Sequence, residues 1–325
     1  MIFLLKRVYL WHLKLLKFNH MDRRSFLKVS AASLAAAGVE SAAVNVFAKS
    51  PESVTEDMRV IFLGTGAADW KGRDSRGELR RLSSILVDRK VFVDLTAGNI
   101  EMIPPGIKPE VIFYTHSHGD HYDPFTALKA GVRKVYLSNT WFDVAQRDFK
   151  AASKELGLAM PEIVPVFIGQ PLQVAGLKVT PLPADHATSN MFEQALIYLI
   201  EKNGSRVLYA TDTAGIPAVA ARLAGIDAHV PSGKPITGLI MEATMGLEHH
   251  VDFRIYTHSS VGDVERTVKV LQKTGRYVPQ DGQPVYLTHL ARTLNGTQSE
   301  LDAALPAPLC AAYDGLEVIF KSPKL

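Results

Sequence analysis

The run Thr115-His116-Ser117-His118-Gly119-Asp120-His121-Tyr122 sets three imidazoles and a carboxylate within six consecutive positions, denser than a core or a solvated face requires. Side chains of this kind gather where a hard or borderline cation is held, and imidazole with carboxylate suits zinc, iron and manganese. The apolar run 111–114 just before it reads as a buried strand. The ligands then fall on the loop past a strand end, where open α/β sheets keep their chemistry. A single histidine there would ordinarily serve the backbone as a hydrogen-bond partner; three with an aspartate are a metal site. His116 and His118, two apart, can face one ion while Asp120 and His121 turn toward a second.

One loop cannot complete the coordination of two cations, so other strand ends should contribute. Pro183-Ala184-Asp185-His186 follows a strand expected at 177–182, Thr211-Asp212-Thr213 follows one at 206–210, and Thr288-His289 follows one at 284–287. Each alone is equally a helix cap or a core histidine. Together they stand at the same place relative to their strands, as a shared catalytic edge requires.

The remaining periodicity supplies the frame. Further strands are expected at 59–63, 84–87, 91–95, 134–137, 164–168, 195–200, 236–241 and 317–320, with Asp88-Arg89-Lys90 and Asn203-Gly204 as hairpin turns. Helical spacing appears at 141–156, 216–223, 261–274 and 298–305. Strand runs interleaved with helices, in two comparable halves, imply an α/β chain built as an αββα four-layer sandwich. Gly64-Thr65-Gly66 lacks the third glycine and the following helix of a dinucleotide fingerprint.

At 325 residues the chain has ample length for one large domain, expected over 49–325, and a net charge of +3 is too small to argue for nucleic acid. Much of that excess lies at the start. Asp22-Arg23-Arg24-Ser25-Phe26-Leu27-Lys28 resembles the twin-arginine export signal, an Ala-rich stretch at 29–46 suits its apolar region, and Val46-Phe47-Ala48 offers a cleavage site. Residues 1–48 are therefore expected to address the protein to the twin-arginine export machinery and the periplasm. An amphipathic N-terminal helix is the alternative. Met21 stands directly before the motif, which marks 1–20 as a candidate mis-assigned extension, with a membrane-surface helix as the competing view of its interleaved Lys and Arg. A single cysteine, Cys310, excludes an intramolecular disulfide and a thiolate zinc site.

The histidine loop and its partner stretches resemble the metallo-β-lactamase superfamily over nearly all of 59–320. The resemblance implies that His116, His118 and His186 hold one metal, that Asp120, His121 and His289 hold the other, and that Asp212 bridges them. Asp94 matches the family's structural aspartate beneath the metal loop. A bridging carboxylate in place of cysteine is the phosphodiesterase and lactonase pattern. Leu63-Gly64-Thr65-Gly66, Arg81-Leu82-Ser83-Ser84 and the segment 311–317 resemble the PhnP-type phosphodiesterases. Glu242-Ala243-Thr244, His258-Ser259-Ser260 and Leu287-Thr288-His289 resemble the tRNA 3′-processing branch, where the glutamate and first histidine assist the leaving group. The chain departs from both. Residues 67–78 carry no cysteine for the structural zinc of the former, and the stretch from His186 to Asp212 is too short for the long arm of the latter.

The expected activity is a phosphodiesterase with two divalent ions, zinc by default and manganese or iron as alternatives, acting on a small-molecule phosphodiester or ester. A water shared by the cations is the expected nucleophile, oriented by Asp120, with His258 and Glu242 serving the leaving alkoxide. For His258 the alternative is a cap of the helix beginning near 261. Arg80 and Arg81, with Arg73 and Arg76, are the candidates for meeting phosphate; His249 and His250, beside Glu248, are expected to be exposed loop residues, with a lid or an incidental metal site as the alternative. A lactonase or other ester hydrolase could use the same ligands, and a non-catalytic metal-binding protein is a third option. Nucleic acid is not an expected substrate, and a homodimer is a candidate assembly.

Overall fold

The computed structural model describes residues 57–227, 229–230, 233–249 and 251–322; the proposed export segment and His250 lie outside the described residues. In chain order the first half holds β1 (Met58–Gly64), β2 (Ser84–Val87), β3 (Val91–Val93), β4 (Val111–Phe113), α1 (Pro124–Lys129), β5 (Lys134–Ser138), α2 (Phe142–Leu156) and β6 (Glu162–Val166). The second half holds β7 (Leu172–Val174), β8 (Leu177–Pro183), β9 (Leu196–Lys202), β10 (Ser205–Ala210), α3 (Ala218–Leu223) and β11 (Gly238–Glu242). It closes with α4 (Val261–Lys273), β12 (Val285–Thr288), α5 (Gln298–Ala304), β13 (Leu309–Ala311) and β14 (Glu317–Phe320).

The strands form two sheets of seven, ordered β14-β1-β2-β3-β4-β5-β6 and β13-β12-β11-β10-β9-β8-β7. Each sheet is half antiparallel and half parallel. In the first, β14 through β3 pair antiparallel and β3 through β6 parallel. The second has β7 through β10 antiparallel and β10 through β13 parallel.

Three buried apolar clusters separate the layers. Phe62, Phe113, Tyr198, Tyr209, Ile240 and Phe320, drawn from both sheets, form the middle one. Ile112, Tyr114, Leu137, Trp141 and Phe149 join the first sheet to α1 and α2. Leu208, Met241, Leu287, Ala220, Val264 and Leu301 join the second to α3, α4 and α5. Strand β4 shows the cause, since Ile112 and Phe113 point to opposite faces and both faces are covered by apolar groups. The αββα sandwich expected from the sequence is the fold.

Differences from the sequence expectation are local. The run 164–168 extends past β6 because Phe167 and Ile168, although apolar, are exposed beyond the last ladder pair Ser138–Val166. Strands β7 and β13, three residues each, are too short to show alternation. Helix α1 escapes a periodicity search at six residues, yet it carries a start signal: Asp123 caps it through the Thr126 amide and Pro124 opens it.

The segments that carry the PhnP-type resemblance meet in space. Asp314 accepts from the Thr65 hydroxyl at 2.8 Å and from the Arg81 amide at 2.6 Å, and the Arg81 carbonyl receives the Thr65 amide at 3.0 Å. A side chain at Gly64 would drive a Cβ to 2.0 Å from the Leu82 carbonyl, so glycine permits this approach. These motifs close β1 against β14 and the end of β2.

Candidate metal centre

The ligand candidates, and Asp94 behind them, stand just past C-terminal strand ends of the two sheets: Asp94 after β3, the 115–121 loop after β4, His186 after β8, Asp212 after β10 and His289 after β12. Three of these take a left-handed backbone, Asp94 at φ +59°, Asp212 at +50° and His289 at +53°. Positive φ is uncommon without glycine and gathers at functional sites held by their surroundings. It also explains why β3 stops at Val93 rather than at residue 95.

The structure brings the seven residues together from four stretches of chain. Nε2 of His116 lies 3.0 Å from Nδ1 of His118, and Nε2 of His186 lies 3.2 Å from the same atom. On the other side, Nε2 of His289 is 3.3 Å from Nε2 of His121 and 3.3 Å from Asp120 Oδ2. Asp212 stands between the groups. Its Oδ1 is 4.0 Å from His116 Nε2 and 3.7 Å from His186 Nε2, while Oδ2 is 3.0 Å from His121 Nε2 and 3.3 Å from His289 Nε2. Within the set His116, His118 and His186, and again within Asp120, His121, Asp212 and His289, the ligand atoms all fall within 4.8 Å of one another, so each set could hold a metal ion.

The outward nitrogens fix which atoms face inward. His121 donates from Nδ1 to Asp94 at 2.8 Å, and His186 from Nδ1 to the Thr257 carbonyl at 3.1 Å. The Thr115 hydroxyl donates to Asp94 at 2.8 Å, so it accepts from Nδ1 of His116 at 2.9 Å. Thr244 repeats this arrangement, with its hydroxyl donating to Glu242 and accepting from Nδ1 of His289 at 2.8 Å. Four imidazoles thus turn Nε2, beside carboxylate oxygens, toward one buried volume. Acceptors crowd acceptors there, an arrangement that fits cations and that neutral protein groups alone do not satisfy.

Charge follows the same logic. Burial, with the neighbouring histidines, holds His116 and His118 below the usual imidazole range. Burial alone would raise Asp120 and Asp212, but His121 beside the first, and His289 with His121 beside the second, keep both well below the carboxylate range. His121 is opposed by burial and carried well above its ordinary value by Asp212, Asp120 and Asp94. Without a cation, a proton on His121 supplies the missing positive charge.

Glu242, fully buried at the end of β11, accepts the Thr213 amide at 2.5 Å and lies 3.1 Å through each oxygen from Nδ1 of His258. The His258 ring sits 5.0 Å from that of His186 and 5.5 Å from that of His289. Burial lowers its affinity for protons, yet Glu242, Asp212 and Asp120 push it up to about 9. It is not the cap of α4: Ser260 fills that place, in a reciprocal pair with Asp263.

A cavity of about 280 Å³ opens over the centre, walled by His118, Asp120, His186, Asp212, His258 and His289, with Ala67–Asp69 and Arg254 on its rim. The arginine beside this cavity is therefore Arg254, which the sequence analysis did not single out. Arg80 and Arg81 are committed elsewhere. Arg80 is buried and donates to Thr65, the Ala312 carbonyl and Gln298, and Arg81 pairs with Glu101 and Asp314. Arg73 and Arg76 tie their own loop, the first to the Gly77 carbonyl and the second to Asp74 and Glu300. None of these four arginines is among the residues that line the cavity: Arg80 is buried in the closure of the fold, Arg81 is ion-paired beside it, and Arg73 and Arg76 are held at the surface of their own loop. His249 is half-buried and lines a separate cavity with Leu294 and Asn295.

Glu193 also escaped the sequence analysis. Its carboxylate accepts the Ser117 amide at 2.7 Å and the Ser117 hydroxyl at 2.6 Å, pinning the residue between His116 and His118. A lone glutamate in an aperiodic loop carries no pattern that would have found it.

The profile of the beta-lactamase superfamily domain matches residues 99–290, more than half of the chain. No curated protein sequence matches the chain significantly. Among solved structures, the chain is similar to a diphosphatase from the PhnP family, with 22% identity and a TM-score of 0.56 over 82% of this chain and 98% of that one. Zn(2+)-bound PqqB from Methylobacterium extorquens gives 18% and 0.58, covering 80% and 99%. The short form of human tRNase Z gives 14% and 0.56, covering 81% and 99%. At such identities the likeness establishes a shared fold.

Proposed function

This chain belongs to the beta-lactamase superfamily, whose members are generally metal-dependent hydrolases, and from that premise we propose that it is a phosphodiesterase working with two divalent ions, zinc by preference. The observation that carries the proposal is the His258–Glu242 pair beside the seven-residue cluster, because a buried carboxylate holding an imidazole proton at a cavity wall is what an alkoxide leaving group needs. The diphosphatase and the tRNase among the structural relatives are both named for phosphoryl chemistry.

His116, His118 and His186 would hold one ion, Asp120, His121 and His289 the other, and Asp212 would serve both through its two oxygens. When bound, such ions supply an acidified water and the positive charge that offsets a phosphoryl group. The residues of the chain do the rest. Asp94 and Thr115 orient His121 and His116, Asp120 on the cavity wall can orient the attacking water through a hydrogen bond, and Arg254, although paired with Asp252, lines the same cavity and can meet a phosphoryl oxygen. His258, protonated through Glu242, stands ready to release its proton to the departing oxygen. A small-molecule substrate suits a cavity of about 280 Å³, and the twin-arginine-like start supports export of the folded protein.

Bis-p-nitrophenyl phosphate, set beside a lactone panel and a metal assay of the folded protein, tests this reading. Diester turnover by a protein that retains two ions supports it, whereas lactone turnover alone assigns the centre to ester hydrolysis.

A further inference from the structure

The five most exposed large apolar side chains among the described residues are Met191 at 86%, Val251 at 84%, Tyr256 at 81%, Phe192 at 78% and Phe253 at 77%; the next, Val219 and Val270, are only 59% exposed. All five occupy two short stretches beside the metal centre. Met191 and Phe192 come shortly after His186, and Val251, Phe253 and Tyr256 come shortly before His258. The stretches join at their base, where His186 donates to the Thr257 carbonyl and its ring meets that of His258. Arg254, between the exposed aromatics, stacks on Phe253 at 4.7 Å and reaches the cavity rim.

Concentrated exposure of this kind marks a surface that is covered in use. The polar groups of the same stretches show by what. Asp252 is consumed by Arg254 and by the Arg254 amide, Glu193 turns inward onto Ser117, the Thr188 hydroxyl donates to the Asn190 carbonyl, and Asn190 accepts from the Phe192 amide. Glu248 and His249 face the separate cavity beside Leu294. A protein partner is recognised through about one hydrogen bond per 100–200 Å², whereas Asp252, Glu193 and the Thr188 and Asn190 oxygens are engaged within the protein, and the exposed Tyr256 ring carries its one polar group at its tip, as side chains of an apolar–water boundary do. Mixed aliphatic and aromatic side chains that splay outward rather than pack suit a medium with no directional demands.

We infer that the crown is a docking surface for a lipid layer, and that it presents to the centre a phosphodiester whose alcohol carries a long apolar chain. The crown dips into the apolar boundary, Arg254 meets the anionic headgroup at the rim, and the phosphodiester enters the cavity beneath. The substrate class rests on the hydrolase reading above; the docking does not.

Two measurements on the full chain separate these. Phe253→Trp preserves the stacking with Arg254 and reports on the crown, while Val219→Trp reports on α3; each is read as a difference from the unsubstituted protein. With phosphatidylcholine vesicles the 253 signal shifts to shorter wavelength and is quenched by about half when the acyl chains carry bromine, as burial ~5–10 Å into the boundary demands. The 219 signal does not change. A 253 signal indifferent to excess vesicles overturns the docking, and so does a shift that tracks protein concentration without vesicles, which would make the crown an interface between copies. In the second measurement, Phe192→Ser with Phe253→Ser lowers turnover of hexadecyl p-nitrophenyl phosphate in phosphatidylcholine vesicles at least about tenfold more than turnover of bis-p-nitrophenyl phosphate. Equal losses on both overturn the lipid presentation. No turnover of either by the unsubstituted protein sinks the hydrolase reading instead.

Discussion

Asp94 accepts the Nδ1 proton of His121 at 2.8 Å while its other oxygen takes the Thr115 amide at 2.8 Å, so one buried carboxylate orients a ligand and the start of the loop that carries three more. Second partners of this kind set ligand tautomer and basicity. Asp94→Ala therefore weakens metal affinity by about 10–100-fold, read by competition with a chelator. Asp94→Asn keeps the Thr115 contact and loses most of the same affinity, because an amide cannot stabilise a polarised imidazole as a carboxylate does.

Proton release on metal loading follows from the same cluster. His121 is held well above the imidazole range by Asp212, Asp120 and Asp94, against the pull of burial, so it is protonated at neutral pH in the metal-free protein. A ligating imidazole must give that proton up. Titration with zinc at pH 7 in buffers of different ionisation enthalpy is expected to show about one proton released from this group, and apparent affinity rises with pH. Loading with no proton release contradicts the assignment of His121 as a ligand.

His258 predicts a dependence on the leaving group. Replacing it with alanine slows hydrolysis of alkyl phosphodiesters by about 10²–10⁴-fold and p-nitrophenyl diesters far less, since p-nitrophenolate departs without a proton. Metal content does not change in the comparison. The acid form is lost as pH rises through its value, which lies near 9 without cations and lower when positive charge is bound beside it. The basic limb of the alkyl-ester rate therefore falls below about pH 9 and vanishes in the alanine variant.

Much of the centre was legible because its ligands repeat one placement, just past the end of an expected strand, and because the 116–121 loop is contiguous. The sandwich was legible for a related reason: strands covered on both faces read as unbroken apolar runs, as 111–114 and 207–210 do. What escaped are single residues whose role depends on where distant loops come to rest. Glu193 and Arg254 sit in stretches without periodicity, and the Arg73–Arg81 run looked like a phosphate site because charge density does not reveal that Arg80 is buried against Thr65 and Gln298. The crown was invisible for the same reason, since exposure is decided by tertiary packing.

Glu193 offers a test of one of those missed residues. Glu193→Ala removes the carboxylate that the part-buried Ser117 amide and hydroxyl donate to, and the metal-free protein loses about 1–3 kcal/mol of stability by urea unfolding. Gln at the same position retains an acceptor and recovers part of the loss. Equal stability of all three proteins would show that the loop holds itself without Glu193.

The most direct test of the account joins ion count to reaction class in one preparation: metal analysis of the folded protein, then turnover of bis-p-nitrophenyl phosphate and of a lactone panel by that same sample. The account predicts two zinc-class ions per chain, diester hydrolysis that stops on chelation and returns on reloading, and no lactone turnover. A fully loaded protein that opens lactones and leaves the diester intact, or one that keeps a single ion with Asp212 replaced at no cost, would contradict it.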